Sequence, residues 1–385
     1  MTKNKLKSLF FLLLSTAVFV FGFSGCLKSY ELKERVLIQA IGIDKSDGLY
    51  KFSLQSFIAE ETGGRTGIDS SKSNTKIITV YGKTISEALD NVALVQGKTA
   101  FYGQNKYIAI GREAAKEDIS RILAFFNSNN QARAGTDIIM ADGEAAEIIE
   151  LKLVENITSS LSVRHMLENG LVNGKIFRAT LLDMDTAAES SISSLAMPVI
   201  TPVKAENEID NTLYASGTAL FKDGKYVAEI NPILTRGLLW ATRDIDSSIV
   251  AYIDSGDVDI AAVEVDKLSI DIDAQIVDGI PHFKFYLKAN GSLTELLLKD
   301  NKTAHAEDIH NIETYVAEMI AQEMEEAFDV IVRQHRCDVF RLYEWLKKNE
   351  KEFWQQNSGN WEQLMALSTC DAEAALTIKR FDLKN

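Results

Sequence analysis

The spacing of apolar residues over the first 200 positions switches repeatedly between a strand-like and a helix-like pattern. Short runs rich in Val and Ile predict buried strands, and the segments between them, with apolar residues every three or four positions, predict helices. The predicted strands include 36–43, 50–57, 77–81, 106–110 and 136–141. Strands that alternate with helices are typical of a sheet covered by helices, so residues 36–203 are expected to form an N-terminal α/β domain.

Beyond residue 212 the apolar pattern has period two, as in half-buried strands. Turn residues between these runs suggest an antiparallel meander, so 212–300 is predicted to be a central β-rich region. A long amphipathic helix is predicted over 306–331, so 301–385 is expected to be a helical and β C-terminal region, and 212–385 could also form one unit. The predicted strands of the central region are 213–221, 226–230, 249–253, 258–265, 268–277 and 282–287.

Two prolines and a charged stretch separate the halves of the chain. Neither Pro198 nor Pro202 is expected in a helix or a central strand, so Met197–Pro202 is predicted to end the first unit. Residues 204–211 are charged and poor in apolar side chains, and they are the predicted domain boundary. The patterns together predict a multi-domain α+β, or mixed α/β, protein in which each domain is a mixed or antiparallel sheet covered by helices.

The N-terminus has the layout of a bacterial lipoprotein signal. Three lysines precede an apolar run over 9–23, and Phe23-Ser24-Gly25 leads directly to Cys26. Residues 1–25 are therefore predicted to be a cleaved signal peptide, Cys26 the lipidated residue, and 26–35 a tether. A transmembrane helix and an ordinary cleaved signal are the alternatives. The apolar run is shorter than the ~20 residues that span a bilayer, although Phe23 stands where leucine is usual.

Composition and charge narrow the possible functions. The 385 residues are 46% apolar and carry a net charge of −14, which fits a globular chain with a sizeable core. An acidic surface repels phosphate backbones, so nucleic acid is not an expected partner. Cys337 and Cys370 are the two cysteines besides Cys26, and two free thiols are favoured over a disulfide.

Two groups of residues have the side chains of a metal site but not its spacing. His305 and His310 are five positions apart, which turns them away from each other on a helix. Asp254, Asp257 and Asp259 lack the glycine turn and closing glutamate of a calcium loop. Nucleotide-binding, zinc-protease and serine-nucleophile motifs are absent from the sequence. No catalytic, cofactor-binding or metal-binding residue is therefore predicted.

Several segments, taken in order, resemble one family. The chain is similar to the Ger(x)C family, the lipoprotein C subunits of spore nutrient germinant receptors. The resemblance covers nearly all of the mature chain, although Leu27-Lys28 and Arg341-Leu342 depart from the residues that are common in the family. The matching segments are Cys26, Ala40–Asp44, Gly217–Lys222, Thr235–Trp240, Asp338–Phe340, Trp354 and Asn360–Trp361.

The resemblance implies a non-enzymatic protein, held by its lipid on the outer face of the spore inner membrane. It implies assembly with two integral membrane subunits, A and B, in a receptor that triggers germination in response to nutrients. It leaves the germinant open, because the family places ligand recognition mainly on other subunits. Within the Thr235–Trp240 segment, Arg236, Gly237 and Trp240 are candidate structural or interaction residues. Packing is preferred to a ligand pocket, because Gly237 permits close approach and Trp240 fills core.

Two other functions are compatible with a lipid-anchored chain. One is a solute-binding protein of a transporter, although the second half does not look like a copy of the first. The other is an extracytoplasmic hydrolase of the spore envelope, which would need a positioned carboxylate pair or a metal.

Overall fold

Two β-sheets, with helices packed on them, form the described part of the chain. The computed structural model describes residues 34–57, 75–129, 131–153, 158–188, 194–206, 211–242, 244–255, 258–299 and 304–381. Cys26, the predicted signal peptide, most of the tether and Asp257 lie outside these residues, and both sheets lie within the unit formed by residues 36–385. The expected mixed α/β class, with more than one sheet, is confirmed.

The first sheet has nine strands. Parallel strands form its centre, and antiparallel hairpins extend it on both sides. The strands are β1 (Arg35–Ser46), β2 (Leu49–Phe57), β3 (Thr75–Gly82), β4 (Thr99–Phe101), β5 (Tyr107–Ile110), β6 (Asp137–Ala141), β7 (Ser194–Val203), β8 (Thr212–Lys222) and β9 (Lys225–Ile230). Their order is β3-β2-β1-β5-β6-β7-β8-β9, with β4 paired to β1. The predicted boundary at 204–211 thus lies between two antiparallel neighbours, β7 and β8, of one sheet.

Helices cover both faces of this sheet, as the alternating pattern predicts. They are α1 (Ile85–Asp90), α2 (Val92–Gln96), α3 (Arg112–Ala115), α4 (Ser120–Asn127), α5 (Ala145–Glu150), α6 (Ser159–Asn173) and α7 (Leu181–Ala188). On one face, Ile41, Ile108 and Ile138 pack with residues of α1, α3, α4 and α7. On the other face, Ala109 and Ile139 pack with α5 and α6. Burial on both faces explains why these strands are nearly continuous apolar runs.

The expectation that neither Pro198 nor Pro202 lies in a central strand is wrong. Both prolines lie in β7, a strand with neighbours on both sides. β6 pairs with β7 only through Val199 and Ile200, so neither proline has to supply an N–H group to that ladder. An irregular register with β8 at the same place bends the strand further.

The end of β1 is fastened to the start of α5 by a buried carboxylate. Asp44 accepts hydrogen bonds from the amides of Ala145 at 2.7 Å and Ala146 at 3.0 Å. These amides begin a helix and have no acceptor within it. Burial raises the pKa of Asp44, although the two bonds act in the opposite direction. Gly111 leaves room for the carboxylate, because a Cβ there would lie 2.0 Å from its Oδ1.

The second sheet is built from the C-terminal half of the chain. Its strands are β10 (Ser247–Ser255), β11 (Val258–Val277), β12 (Ile280–Leu298) and β13 (Thr369–Phe381), in that order. The first three form the expected antiparallel meander, and β13 adds in parallel to β12. The strands predicted separately at 258–265 and 268–277 are one strand, β11. Its register slips between Asp266 and Ser269, and Lys267 has a φ of 50°, so a bulge takes the place of a turn.

One helix precedes this sheet and four cover or flank it. They are α8 (Pro232–Thr242), α9 (Ala306–Phe328), α10 (Leu342–Asn349), α11 (Lys351–Asn357) and α12 (Trp361–Leu367), with a π-helical turn at Asp329–Gln334 and a 3₁₀ turn at Ser358–Asn360. A single apolar cluster joins Leu220 and Ile230 of the first sheet to α8, α9 and the second sheet. This cluster therefore connects the first sheet to the second.

Two further observations concern the membrane and the thiols. Among the described residues, no helix combines the length and the apolar character that crossing a bilayer requires. Cys337 and Cys370 are both free, the state favoured from the sequence. Burial raises the pKa of the Cys337 thiol to about 11, which keeps it protonated at neutral pH.

Candidate functional site

The three candidate residues Arg236, Gly237 and Trp240 are all buried on α8, the helix that links the two sheets. Asn231 begins this helix, because its Oδ1 accepts from the amides of Ile233 and Leu234, both at 2.9 Å. Asn231 is the single residue between β9 and α8, so the helix starts where a side-chain acceptor is available. The apolar run that follows places the candidates toward α9 rather than toward solvent.

Arg236 forms a buried ion pair with Glu323 of α9. Its Nε donates to Glu323 Oε2 at 2.9 Å and its Nη2 donates to Oε1, which makes the contact bidentate. The side chains are 5% and 8% exposed. The remaining Nη1 donates to the Ile249 carbonyl of β10 at 3.0 Å. Each charged group is thus paired and hydrogen-bonded, the condition under which buried charges are tolerated.

Gly237 and Trp240 complete the same contact. A Cβ on Gly237 would lie 2.0 Å from the backbone oxygen of Glu323, so only glycine lets the two helices approach this closely. The indole Nε1 of Trp240 donates to Glu323 Oε2 at 3.1 Å, while its ring is 1% exposed. One carboxylate therefore receives donors from two residues of α8, spaced one helical turn apart.

α8 is also hydrogen-bonded to the first sheet. Thr235, beside Arg236, shares a hydrogen bond of 2.9 Å with Thr218 of β8, and both side chains are fully buried. α8 is thus fixed to β8 through a hydroxyl pair and to α9 through an ion pair. This arrangement therefore joins β8, α8 and α9.

A second buried charge organises the C-terminal helices. The carboxylate of Asp338 accepts from the amides of Leu342 at 2.8 Å and Tyr343 at 2.9 Å, and from Trp361 Nε1 at 3.1 Å. Its own amide donates to Ser194 Oγ of β7 at 2.8 Å. Burial raises the pKa of Asp338 to about 6, since loss of hydration outweighs the three donors.

A cavity of about 630 Å³ lies beside this carboxylate, lined by residues of α7, β7, β11 and the 338–344 segment. Charged side chains at its wall include Arg178, Asp183 and Arg341. Arg178 is already paired with Asp137 at 2.8 Å. Ala241 and Thr242 at the end of α8 also line the cavity, but none of the three candidate residues does.

The metal candidates at His305 and His310 have other partners, and the aspartate group at 254–259 includes Asp257, which lies outside the described residues. Within the described ranges, no group of three His, Cys, Asp or Glu side chains is placed to hold an ion. The His305 amide donates to Asp308 at 2.8 Å, so that this pair begins α9. His310 Nδ1 lies 3.8 Å from Glu313.

The sequence alone did not reveal the partners of the buried charges Arg236, Asp44 and Asp338. Glu323 lies seven positions after Val316 and three after Ile320, on the apolar face of α9. A carboxylate at an apolar helical position is a signal for a buried partner, and it could have been paired with Arg236 on those grounds. For Asp44 and Asp338, the partners are backbone amides, which no residue type marks.

Comparisons with known proteins match two family models to this chain, one to each half. A model described as "Spore germination protein N-terminal domain" matches residues 28–202, and one described as "Spore germination B3/ GerAC like, C-terminal" matches residues 216–382. The spore germination protein KC of Bacillus subtilis (strain 168) is 19% identical over 384 residues, which is 94% of this chain and 93% of that protein. YfkR of the same organism is 23% identical over 129 residues, about a third of each chain.

A solved structure has the same fold. The crystal structure of the GerBC protein aligns with a TM-score of 0.54 at 16% sequence identity, covering 88% of this chain and 96% of that one. At this identity the likeness concerns the fold.

The ion pair predicts a specific pattern of stability changes. Glu323→Gln should lower the free energy of unfolding by roughly 3–5 kcal/mol, because it leaves a buried guanidinium without its counter-charge. Arg236→Met should lower the free energy of unfolding by a similar amount, because it leaves the buried Glu323 carboxylate without its counter-charge. The double variant Arg236→Met/Glu323→Gln should cost much less than the sum of the two single costs, which denaturant unfolding measures directly.

Glu318→Gln is the matched control for this cycle. Glu318 is an exposed glutamate on the same helix, so its loss should change stability by no more than about 0.5 kcal/mol. Additive effects of the two single changes in the double variant would show that Arg236 and Glu323 are energetically independent.

Asp338 predicts a pH-dependent stability. Its pKa in the folded chain, about 6, exceeds the ~3.9 of a free aspartate, so the folded state favours the protonated form. This contribution is fully present below about pH 3.9 and is lost as the pH rises through 6. Relative to Asp338→Asn, the wild type should therefore lose roughly 2–3 kcal/mol between pH 4 and pH 7, at about 1.4 kcal/mol per pKa unit.

Denaturant unfolding at closely spaced pH values measures this difference. Asp90→Asn serves as the control, because Asp90 is exposed at the end of α1 and its removal should give no such trend. A constant gap between wild type and Asp338→Asn across the range would contradict the assignment.

Proposed function

The chain belongs to the GerAC, or Ger(x)C, family of spore germination proteins, and from this premise we propose that it is a non-catalytic subunit of a nutrient germinant receptor. In this proposal the lipid on Cys26 holds it to the outer face of the spore inner membrane. It acts there by assembling with the integral membrane A and B subunits. The observation that carries the proposal is the match of two family models, in order, over 28–202 and 216–382.

The start of the family match supports the anchor. It begins at residue 28, two positions after Cys26, so the matched region begins where the mature chain would begin. Two or more acyl chains bind a bilayer stably, at about 0.8 kcal/mol per buried CH₂, whereas one chain binds only marginally. An acidic chain of net charge −14 gains little from anionic headgroups, so the lipid would provide most of the attachment.

The roles of the resembling segments support action through contact rather than catalysis. Asp44, Arg236 and Asp338 each lie in a different segment, and each is buried and satisfied by partners within the chain. These side chains hold the fold together and have no free groups for a substrate. Anchoring to the same bilayer would raise the effective concentration of the membrane subunits around this chain.

The solute-binding alternative fits the architecture less well. Such proteins usually have two similar α/β lobes around a cleft. Here the first sheet has nine strands, parallel and antiparallel, with helices on both faces. The second sheet has four strands, three in an antiparallel meander and one that pairs in parallel at its edge. The two halves therefore differ in strand number, strand direction and helix placement.

Removing the lipid should separate anchoring from folding. Spores carrying Cys26→Ala should germinate weakly in response to nutrients, because the chain is no longer confined beside its partners. The chain from residue 27 onward should keep its unfolding transition, because the described core lies after Arg35. Germination is followed by loss of optical density, and retention by fractionation of the spore membrane.

Deletion of the gene provides the reference for this experiment. It should abolish germination by nutrients and leave germination by a non-nutrient trigger unchanged. Normal nutrient germination of the deletion strain would refute the proposed function. Wild-type levels of membrane retention and germination in the Cys26→Ala strain would refute the proposed lipid anchor.

A further inference from the structure

β13 is an edge strand whose outer side faces the flank of α9. In the second sheet it pairs only with β12, over twelve registered positions from His282↔Thr369 to Leu293↔Phe381. Every second amide of β13 therefore points away from the sheet. An open edge of this kind is a template for another strand unless the protein blocks it.

Two glutamates of α9 take the place of a neighbouring strand at two of these amides. The amide of Ala372 donates to Glu325 Oε1 at 2.9 Å, and the amide of Ile378 donates to Glu313 Oε1 at 2.8 Å. The carboxylate oxygens occupy positions where the carbonyls of an added strand would accept. The amides of Ala374 and Leu376 lie between them on the same side, and they have no acceptor among the described residues.

Helix and strand spacings explain this alternation. The two glutamates are twelve residues apart, about 18 Å along a helix, and the two amides are six residues apart, about 20 Å along a strand. Each step of four residues on α9 thus matches a step of two on β13. The two intermediate helix positions carry Ala317 and Ala321, whose side chains cannot reach the strand.

The alanines leave a cleft between α9 and β13. It has a volume of about 450 Å³ and is lined by the 372–376 stretch of the strand and by residues of α9. Its lining carries Glu313, Glu318 and Glu373, against His310 as the one basic side chain in the described lining. A site with unpaired amides, a groove and a surplus of carboxylates selects an extended chain with cationic side chains.

We propose that the outer edge of β13 binds an extended segment of a partner protein that carries Lys or Arg, which adds to the second sheet as a fifth strand. Its carbonyls would accept from the amides of Ala374 and Leu376. Its basic side chains would pair with Glu318 and Glu373 beside the cleft. Glu313 and Glu325 would give up their amides to the strand and become further partners for its charges. This proposal rests on the geometry of β13 and α9 and is independent of the proposed receptor role.

A pair of peptides tests the proposal on the purified full chain. The first is acetyl-Val-Lys-Val-Lys-Val-Lys-amide, and the second replaces each Lys with Glu. The Lys peptide should bind saturably, shift the amide resonances of Ala374 and Leu376 in chain labelled with ¹⁵N-Ala and ¹⁵N-Leu, and slow their hydrogen exchange. The Glu peptide should bind at least about 10-fold more weakly, because its charges repel those of the cleft.

A third peptide separates strand addition from attraction of charge alone. It is the Lys peptide with N-methyl groups on alternate residues, which keeps the charges and prevents its backbone from pairing in a sheet. Weak binding of this peptide is expected. The proposal would be overturned if the methylated peptide or the Glu peptide bound as tightly as the Lys peptide. It would also be overturned if the Lys peptide showed no saturable binding, which would mean that Glu313 and Glu325 serve only to block the edge of the sheet.

Two variants locate the site. Ala374→Pro removes an outward amide that has no acceptor among the described residues, so the variant should fold normally and lose about 10-fold in affinity for the Lys peptide. Glu318→Lys/Glu373→Lys keeps the amides and should instead favour the Glu peptide. Wild-type affinity and preference in the charge-reversed variant would contradict the assignment, whatever the outcome for Ala374→Pro.

Discussion

The buried ion pair between Arg236 and Glu323 is the contact on which the arrangement of the two sheets depends. Apolar packing is tolerant of small displacements, but a buried bidentate pair is satisfied in only one relative placement of its helices. Here the pair also binds the Ile249 carbonyl and the Trp240 indole, so α8, α9 and β10 are fixed together. α8 follows directly from the first sheet, and the position of the second sheet therefore follows from this contact.

The same principle recurs at Asp44 and Asp338. Each buries a carboxylate against helix-initiating amides, which for Asp44 are about 100 positions away in the sequence and for Asp338 are four and five positions away. Burial raises the pKa of both groups, which means that the folded chain spends free energy to keep them ionised. Three of the resembling segments, Ala40–Asp44, Thr235–Trp240 and Asp338–Phe340, thus each contribute one buried charge with a defined set of partners. In this chain these three segments specify how its parts fit together.

Much of the local structure was predictable from the sequence, because strand and helix periods leave a clear record where a face is buried. The hairpin of β8 and β9, the antiparallel meander and α9 all follow the pattern. What could not be predicted depends on distant partners. Pro198 is tolerated in a central strand because its neighbour β6 is short, and the apolar face of α9 gives no indication of which residue Glu323 meets. The role of Arg236 was recognisable as packing, but its partner 87 positions away was not.

Native-state hydrogen exchange on the full chain tests directly whether this ion pair joins the two sheets. The amides of β5 in the first sheet and β12 in the second should open with the same free energy in the wild type, because both belong to one cooperative unit. In Glu323→Gln the free energies of opening of the β5 amides and of the β12 amides should fall by the same amount. A fall confined to β12, with β5 unchanged, would show that the sheets unfold separately and that the ion pair stabilises only the second.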